Sequence, residues 1–146
     1  HVCYTLAFAL NVADSPGGQG LLVSASIGLV VIGYVGAFGS MLLEHLEEGF
    51  AVPVGFYALG SVALCVAAAL RFGRTYMPSF IMVMGGVLLL LASDSVLASA
   101  RFVHPVEHAW WSVPILYAAA QYLIARGCLR HVLDPEEIRR RASLDT

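Results

Sequence analysis

The chain has 146 residues, of which 59% are hydrophobic and 12% are charged, and its formal net charge at pH 7 is −2. A typical soluble domain carries about 25% charged residues, so the composition excludes that class and predicts a polytopic membrane protein. The small net charge and the lack of a basic stripe exclude a nucleic-acid-binding surface.

Five apolar blocks follow one another along the chain, and each is predicted to be a membrane helix. Their bounds are 1–12, 20–41, 53–70, 78–100 and 109–125. As a helix, the first block is about 18 Å long, which is shorter than a hydrocarbon core of about 30 Å. We therefore expect an all-α transmembrane bundle with about five spans, the first of them partial, in a chain that is a fragment cut inside a span.

The connectors carry turn and boundary residues. Residues 14–18 read DSPGG, which is typical of a turn. Pro53 and Pro78 begin blocks three and four, because proline suits the first turn of a helix. Trp110 and Trp111 at the entry of block five are typical of a membrane–water interface.

Arginine is distributed unevenly over the connectors. The two connectors after blocks two and four hold only Arg101, whereas the other connectors and the tail hold Arg71, Arg74, Arg126, Arg130, Arg139, Arg140 and Arg141. Because arginine accumulates on the cytoplasmic side, we expect residues 1–127 to form the bundle and residues 128–146 to form a cytoplasmic C-terminal tail. Asp134 is predicted to cap a short surface helix in that tail.

Asp94 lies inside the apolar block 78–100. A charged side chain at the middle of a membrane costs about 2.5–3.5 kcal/mol on insertion scales, and such residues usually have a function. An apolar environment favours the neutral carboxylic acid, which is a potential proton donor. The alternative is a structural aspartate, flanked by Ser93 and Ser95, that hydrogen-bonds to a neighbouring helix.

The first block carries polar residues on one helical face. His1, Tyr4, Phe8 and Asn11 are spaced three or four residues apart, so they share that face. Histidine can act as a base, an acid or an orienting group near neutral pH. An interfacial terminal residue without a function is the alternative interpretation of His1.

Two further spans carry candidate binding residues. Tyr117 and Gln121 lie four residues apart in block five, so they point to the bundle interior, where they hydrogen-bond between helices or line a pocket. Tyr57 in block three lines a pocket or lies at the interface.

Arg101 follows Asp94 by about 10.5 Å along a helix, too far for a direct pair. It either binds a phosphate in a bidentate manner or is a solvated interfacial arginine.

The sequence predicts no metal site. The three cysteines are far apart and lack metal-ligand spacing, so they are interpreted as small apolar residues; they are Cys3, Cys65 and Cys128. The acidic connector is interpreted as solvated, and it comprises Glu44, His45, Glu47 and Glu48.

Several of these residues fall into motifs that resemble the lysoplasmalogenase family, the YhhN-like membrane proteins. Residues 93–98 (SDSVLA), followed by Arg101 and Phe102, resemble the family's SDxxLA…(K/R)F signature. Residues 116–121 (LYAAAQ) resemble its TYYxAQ element, and residues 1–8 resemble its HxxYxxAF element. The motifs occur in the family's order over nearly the whole chain.

Other positions match or depart from the family pattern. Pro53, Val54 and Tyr57 are similar to the opening of the family's next helix, and the glycine pair at 85–86 is similar to the run before the SD motif. The departures are at positions 116 and 118, where Leu and Ala replace a Thr and a Tyr.

The resemblance implies that the chain is the C-terminal portion of a bundle of about eight spans. It also implies a second carboxylate in an upstream part.

The resemblance implies a hydrolase that cleaves the vinyl-ether bond of lysoplasmalogens to a fatty aldehyde and a glycerophospho-head-group. Acid-catalysed protonation of the alkenyl carbon would start the reaction, without a metal or an organic cofactor. Asp94 and His1 are the implied catalytic residues. The implied substrate-binding residues are Tyr4, Tyr57, Ser93, Arg101, Tyr117 and Gln121. The partners would be a lysophospholipid substrate and the lipid bilayer, most simply that of a bacterial inner membrane.

Two alternatives remain from the residues alone. In a proton-coupled or ion-coupled transporter, Asp94 would carry the proton or cation. In a structural membrane subunit, the polar residues would only hold helices together.

Overall fold

The computed structural model describes residues 1–13, 20–47 and 49–133, and all regular secondary structure within these ranges is helical. The helices are α1 (Val2–Ala13), α2 (Leu21–Leu43), α3 (Ala51–Ala69), α4 (Met77–Phe102) and α5 (Ala109–Val132). Each of them coincides with one predicted apolar block, which confirms the all-α fold. The predicted turn at 14–18 and the predicted tail helix after Asp134 lie outside the described residues.

The helices differ in their suitability for crossing a membrane. Within the described part of the chain, α2, α3 and α4 are long and apolar enough to span a bilayer. Helix α1 has 12 residues, so it is the short first helix that the sequence predicts. Helix α5 has 24 residues and carries Arg126 and Arg130 in its second half, which makes it more polar than the other three. The chain is therefore a helical bundle of an integral membrane protein.

Helix boundaries deviate from the predicted ones for local reasons. Helix α3 begins at Ala51, two residues before Pro53, since a proline within the first turn costs no helical hydrogen bond. Pro78 lies in the first turn of α4 as predicted. Helix α5 continues to Val132, which is seven residues beyond the apolar block. Gly73 in the turn before α4 has φ of 70°, a conformation that favours glycine.

Helices α4 and α5 form the most extensive pair, because glycines allow their backbones to approach closely. A Cβ atom at Gly86 would lie 2.8 Å from the carbonyl oxygen of Ala120, and one at Gly127 would lie 3.0 Å from that of Ser79. The hydroxyl group of Ser79 donates a hydrogen bond of 2.6 Å to the Gly127 carbonyl oxygen across this contact. In the glycine pair at 85–86, it is therefore Gly86 that meets the α5 backbone.

Helix α3 connects the other helices, since α1, α2 and α4 all pack against it. Its second half carries small buried residues, and the alanines at 67, 68 and 69 are at most 6% exposed. This packing leaves His1, which directly precedes α1, between α3 and α4. A polar residue at the start of α1 thereby comes close to Asp94.

The C-terminal ends of α1, α3 and α5 lie together, and arginines of the α3–α4 connector contact α1. A guanidinium nitrogen of Arg74 donates a hydrogen bond of 3.1 Å to the carbonyl oxygen of Val12. Asn11 contacts His131 at 3.1 Å. Arg71 is 2% exposed, and its guanidinium carbon lies 4.8 Å from the ring centroid of Phe8. The described C-terminal ends of α1, α3 and α5 thus lie at one end of the bundle.

The glycine contact predicts different effects for two neighbouring substitutions. Gly86→Ala places a methyl group against the α5 backbone, and overpacking of this kind costs about 1–3 kcal/mol of unfolding free energy. Gly85→Ala is the matched control, because the nearest atom to its Cβ would be Leu123 Cδ1 at 4.0 Å. We expect a lower melting temperature in detergent for Gly86→Ala and no decrease for Gly85→Ala. Equal melting temperatures of the two variants would contradict the packing described.

Candidate active site

The site is centred on a contact between His1 and Asp94. Nε2 of His1 lies 3.3 Å from Oδ2 of Asp94, and the two side chains are 14% and 12% exposed. Among the described residues, no other cationic and anionic groups lie within 4.0 Å of each other. The N-terminal end of α1 therefore brings the His1 ring to Asp94. Among the described residues, Asp94 has the one carboxyl group that lies within a spanning helix.

Helix α3 supplies the second layer of contacts around this pair. The Tyr57 side chain lines the same cavities as Asp94, and its ring centroid is 5.0 Å from that of His1. Oγ of Ser61 lies 3.4 Å from Nδ1 of His1. Both nitrogens of the His1 ring thus face polar groups, one on α3 and one on α4.

Helix α5 completes the site through the predicted glutamine. The hydroxyl group of Tyr4 donates a short hydrogen bond to Oε1 of Gln121. A cavity of about 400 Å³, which we call the central cavity, is lined by five predicted residues and by Phe56. The predicted residues are His1, Tyr4, Tyr57, Tyr117 and Gln121. Most of the predicted site residues thus come together although they lie on three helices.

A second cavity connects Asp94 with Arg101. This cavity, which we call the Arg101 groove, has a volume of about 410 Å³. Its wall is mainly apolar, and it includes Leu42, Phe50, Pro53, Val54, Tyr57, Asp94, Leu97, Ala98, Arg101 and Phe102. Arg101 also lines a smaller pocket of about 160 Å³ with His45 and Glu47. An acid and a cation therefore lie at different points of one apolar groove.

Ser93 and Ser95 have different surroundings although they flank Asp94. Ser93 is 1% exposed and donates a hydrogen bond of 3.1 Å to the carbonyl oxygen of Val113, so its hydroxyl group faces α5. It does not line the cavities that Asp94 lines. Ser95 accepts a hydrogen bond of 2.9 Å from the hydroxyl group of Tyr34 on α2.

Ser61 and Tyr34 belong to the site but were not predicted from the sequence. Both line a narrow space of about 70 Å³ together with Asp94. Ser61 follows Tyr57 by four residues, so the spacing on one helical face was available as a signal. Tyr34 had no such signal, because its contact with Ser95 depends on how α2 packs against α4.

The donor set does not resemble a metal centre. Within residues 1–13, 20–47 and 49–133, no three side chains of the types His, Cys, Asp or Glu converge as ligands would. The groups that do converge are a carboxyl group, an imidazole, phenols and an amide. This combination is suited to moving and orienting protons next to an apolar molecule.

Comparison with known proteins agrees with this architecture. The model of the YhhN family matches residues 1–128. The chain belongs to the YhhN family. This YhhN-family chain is also 33% identical over 130 residues to the human protein lysoplasmalogenase TMEM86B. That match covers 89% of the chain and 50% of the human protein, so the chain spans about half the length of the curated relative that it matches. No solved structure matches the chain.

The hydrogen bond between Tyr4 and Gln121 predicts coupling between two substitutions. Tyr4→Phe and Gln121→Leu each remove the same bond between α1 and α5. Bonds of this kind in membranes contribute about 0.6 kcal/mol on average. In denaturant unfolding in mixed micelles, we expect the double variant to be less destabilised than the sum of the single variants. Additive changes in unfolding free energy would show that the two groups do not interact.

Proposed function

We propose that the protein hydrolyses the vinyl-ether bond of lysoplasmalogens and releases a fatty aldehyde and a glycerophospho-head-group. The observation that carries the proposal is the buried contact of Asp94 with His1 at the junction of two cavities. Membership of the YhhN family and the identity to a protein named lysoplasmalogenase support it. The reaction needs an acid in an apolar site, and this site has one.

Asp94 is proposed to be the proton donor. A vinyl ether is protonated at the carbon atom beta to its oxygen, and this step is slow in water because carbon is a weak base. A carboxyl group among apolar helices favours its neutral form and therefore keeps the proton that the step requires. The proton moves from Asp94 to the alkenyl carbon, and the substrate becomes an oxocarbenium ion.

The same carboxyl group then stabilises the cation that it has produced. After the transfer, Asp94 is a carboxylate beside the positive charge, which is the electrostatic arrangement that glycosidases use for similar ions. Water adds to the cationic carbon, and His1 or Asp94 accepts the proton that the water loses. The resulting hemiacetal separates into the aldehyde and the free glycerol hydroxyl group, which balances the reaction.

The Arg101 groove is proposed to hold the polar part of the substrate. Arg101 lies about 10.5 Å along α4 from Asp94, and an arginine side chain spans part of that distance. In a lysoplasmalogen, only the glycerol unit separates the phosphate from the vinyl ether. A phosphate on the Arg101 guanidinium group therefore leaves the vinyl ether near Asp94. Tyr4, Tyr57, Tyr117 and Gln121 would line the space for water and the alkenyl chain, and Ser93 would act through the α4–α5 contact.

The membrane explains why the site lies between helices. A single-chain lipid is inserted in the bilayer, so it can enter the grooves of the bundle from the side. We propose that the protein is a multi-pass protein of a bacterial inner membrane with its C-terminus in the cytoplasm. Arg71 and Arg74 follow α3, and Arg126 and Arg130 lie in the second half of α5. Arg71 contacts Cys128 of α5, so these arginines lie towards the same end of the bundle, which supports this orientation.

The role of Asp94 predicts the loss of activity in Asp94→Asn. An amide is far too weak an acid to protonate carbon, and general acid catalysis contributes about 10²–10⁴-fold to a rate. We expect aldehyde release from lysoplasmenyl-ethanolamine by the full-length natural protein in liposomes to fall by about that factor. Glu107→Gln is the matched control, because Glu107 is an exposed carboxyl group in the α4–α5 connector, and its activity should stay at the wild-type level.

The position of bond cleavage provides a second measurement. In water labelled with ¹⁸O, attack at the oxocarbenium carbon leaves the glycerophospho-ethanolamine product unlabelled. Label in the glycerol hydroxyl group would mean attack at the glycerol carbon and would overturn the mechanism. Proton or ion flux through the liposomes without aldehyde release would favour the transporter over the hydrolase.

The role of Arg101 predicts a change in KM. A charged hydrogen bond to phosphate is worth about 1.5–3 kcal/mol, so Arg101→Gln is expected to raise KM by about 10-fold to 100-fold. The change in kcat should be smaller, since the acid is intact, and Arg101→Lys should restore part of the loss. Arg126→Gln, at the opposite end of the bundle, is the control. An unchanged KM in Arg101→Gln would place the phosphate elsewhere.

A further inference from the structure

The hydroxyl group of Ser61 lies between a backbone carbonyl and the catalytic imidazole. Its Oγ atom donates a hydrogen bond of 3.2 Å to the carbonyl oxygen of Tyr57 on the same helix. The same atom lies 3.4 Å from Nδ1 of His1. Ser61 is 5% exposed, so water does not compete freely for either contact.

The number of available protons determines the direction of the second contact. A serine hydroxyl group has one proton to donate, and a carbonyl oxygen can only accept. When the Ser61 proton is on the Tyr57 carbonyl oxygen, Ser61 accepts from His1 in the second contact. Nδ1 of His1 then carries a proton, and in the neutral ring Nε2 is left without one.

The other ring nitrogen faces an oxygen atom that needs a partner. Oδ2 of Asp94 is buried, and no described group donates a hydrogen bond to it, although Nε2 of His1 lies 3.3 Å away. A buried carboxylate oxygen without a donor is costly. A protonated Oδ2 can instead donate to the bare Nε2 atom, and then both groups are satisfied.

We propose that Ser61 is a positioning residue that holds His1 in the Nδ1–H tautomer, so that Asp94 keeps the proton which it shares with Nε2. The proposal rests on the proposed function, since it describes how the acid is maintained. In the reaction, the proton leaves Oδ2 for the alkenyl carbon, and no proton moves through Ser61. The bare Nε2 atom is then available to accept the proton of the attacking water.

Without Ser61, the opposite tautomer becomes available. His1 could then donate from Nε2 to the Asp94 carboxylate, which stabilises the ionised form and removes the acid. Activity declines when rising pH removes the proton from Asp94. Without Ser61 the proton leaves more readily, so this decline would begin at a lower pH. Ser61 thus acts on Asp94 through the ring between them.

The other groups near His1 do not replace this control. The titratable groups that face the pair are the phenols of Tyr4 on α1, Tyr34 on α2, Tyr57 on α3 and Tyr117 on α5, the thiol of Cys65 on α3, and the α-amino group that His1 carries in this chain. The guanidinium group of Arg101 lies in the same groove as Asp94 and is charged throughout the active pH range. Phenols and thiols are ordinarily neutral near pH 7. The only hydroxyl group that contacts the His1 ring at Nδ1 belongs to Ser61, among the hydrogen bonds of the described residues.

Asp94 contacts His1 and His1 contacts Ser61, which is the order of contacts in a serine hydrolase triad, but the hydrogen bonds run in the opposite direction. A nucleophilic serine donates its proton to the imidazole, which must be unprotonated on that side. Here the imidazole donates to the serine, and the serine donates to a backbone carbonyl oxygen. Ser61 therefore orients and does not attack.

The tautomer can be measured directly in the full-length natural protein. The ¹⁵N chemical shifts of labelled histidine distinguish a protonated ring nitrogen from a bare one, and His1→Gln identifies the His1 signals. In the wild type, at a pH where the protein is active, we expect Nδ1 to be protonated and Nε2 to be bare. A protonated Nε2 in the active pH range, with Nδ1 bare or protonated, would overturn the proposal, and this measurement requires no Ser61 variant.

Kinetics test the consequence. Ser61→Ala should lower kcat by about fivefold to tenfold, the factor expected from one lost hydrogen bond, with little change in KM. Its decline in activity with rising pH should begin at a lower pH, and Ser61→Thr, which keeps the hydroxyl group, should restore both. Ser26→Ala is the matched control, because Ser26 makes the same bond to a carbonyl four residues earlier but does not contact His1.

The outcomes separate this proposal from the proposed function. A Ser61→Ala variant with a lower melting temperature but an unchanged pH profile and kcat would overturn the positioning role. Covalent labelling of Ser61 by a fluorophosphonate would overturn it in favour of a nucleophile. If the wild type releases no aldehyde, the proposed function fails, whereas the ¹⁵N measurement still decides the tautomer.

Discussion

The structure depends on one carboxyl group that lies among apolar helices. Asp94 is 12% exposed and belongs to a helix that is otherwise suited to a lipid environment. Such a group needs a polar partner, because in hydrocarbon an unsatisfied polar atom costs several kcal/mol, roughly. His1 supplies the partner, and this requires α1 to pack against α3 with its N-terminal end towards α4. The position of α1 and the chemistry of the site are therefore consequences of the same contact.

Small residues determine where the bundle is closed and where it is open. Gly86 and Gly127 bring α4 and α5 into backbone contact, so no space remains between these helices at that level. Around Tyr57 and Tyr117 the larger side chains are about half exposed and line a cavity of about 400 Å³. The closed contact holds α4 in place, which keeps Asp94 at the edge of the open region. A rigid helix pair with a cavity on one side suits a lipid that enters laterally.

The two ends of the bundle carry different polar groups. At one end, Arg71 is buried under Phe8, and Arg74 binds the end of α1, so these arginines connect helices. At the other end, Arg101 lines a groove and a small pocket without an ion pair within 4.0 Å among the described residues. An arginine that other residues do not satisfy remains available for a ligand. The same residue type thus holds the fold at one end and offers a binding group at the other.

The sequence by itself determined the helices, the membrane class and most of the polar residues that the structure brings together near Asp94. Apolar block length and the proline positions located all five described helices, and polar residues inside apolar blocks identified Asp94, Tyr4 and Gln121 as unusual. The partners of these residues were decided only by the tertiary structure. Ser61 and Tyr34 look ordinary in a hydrophobic stretch, and Arg71 looks like a connector residue until Phe8 covers it. The physical reason is that hydropathy and helical spacing are properties of one segment, whereas a hydrogen bond between helices depends on how two segments pack.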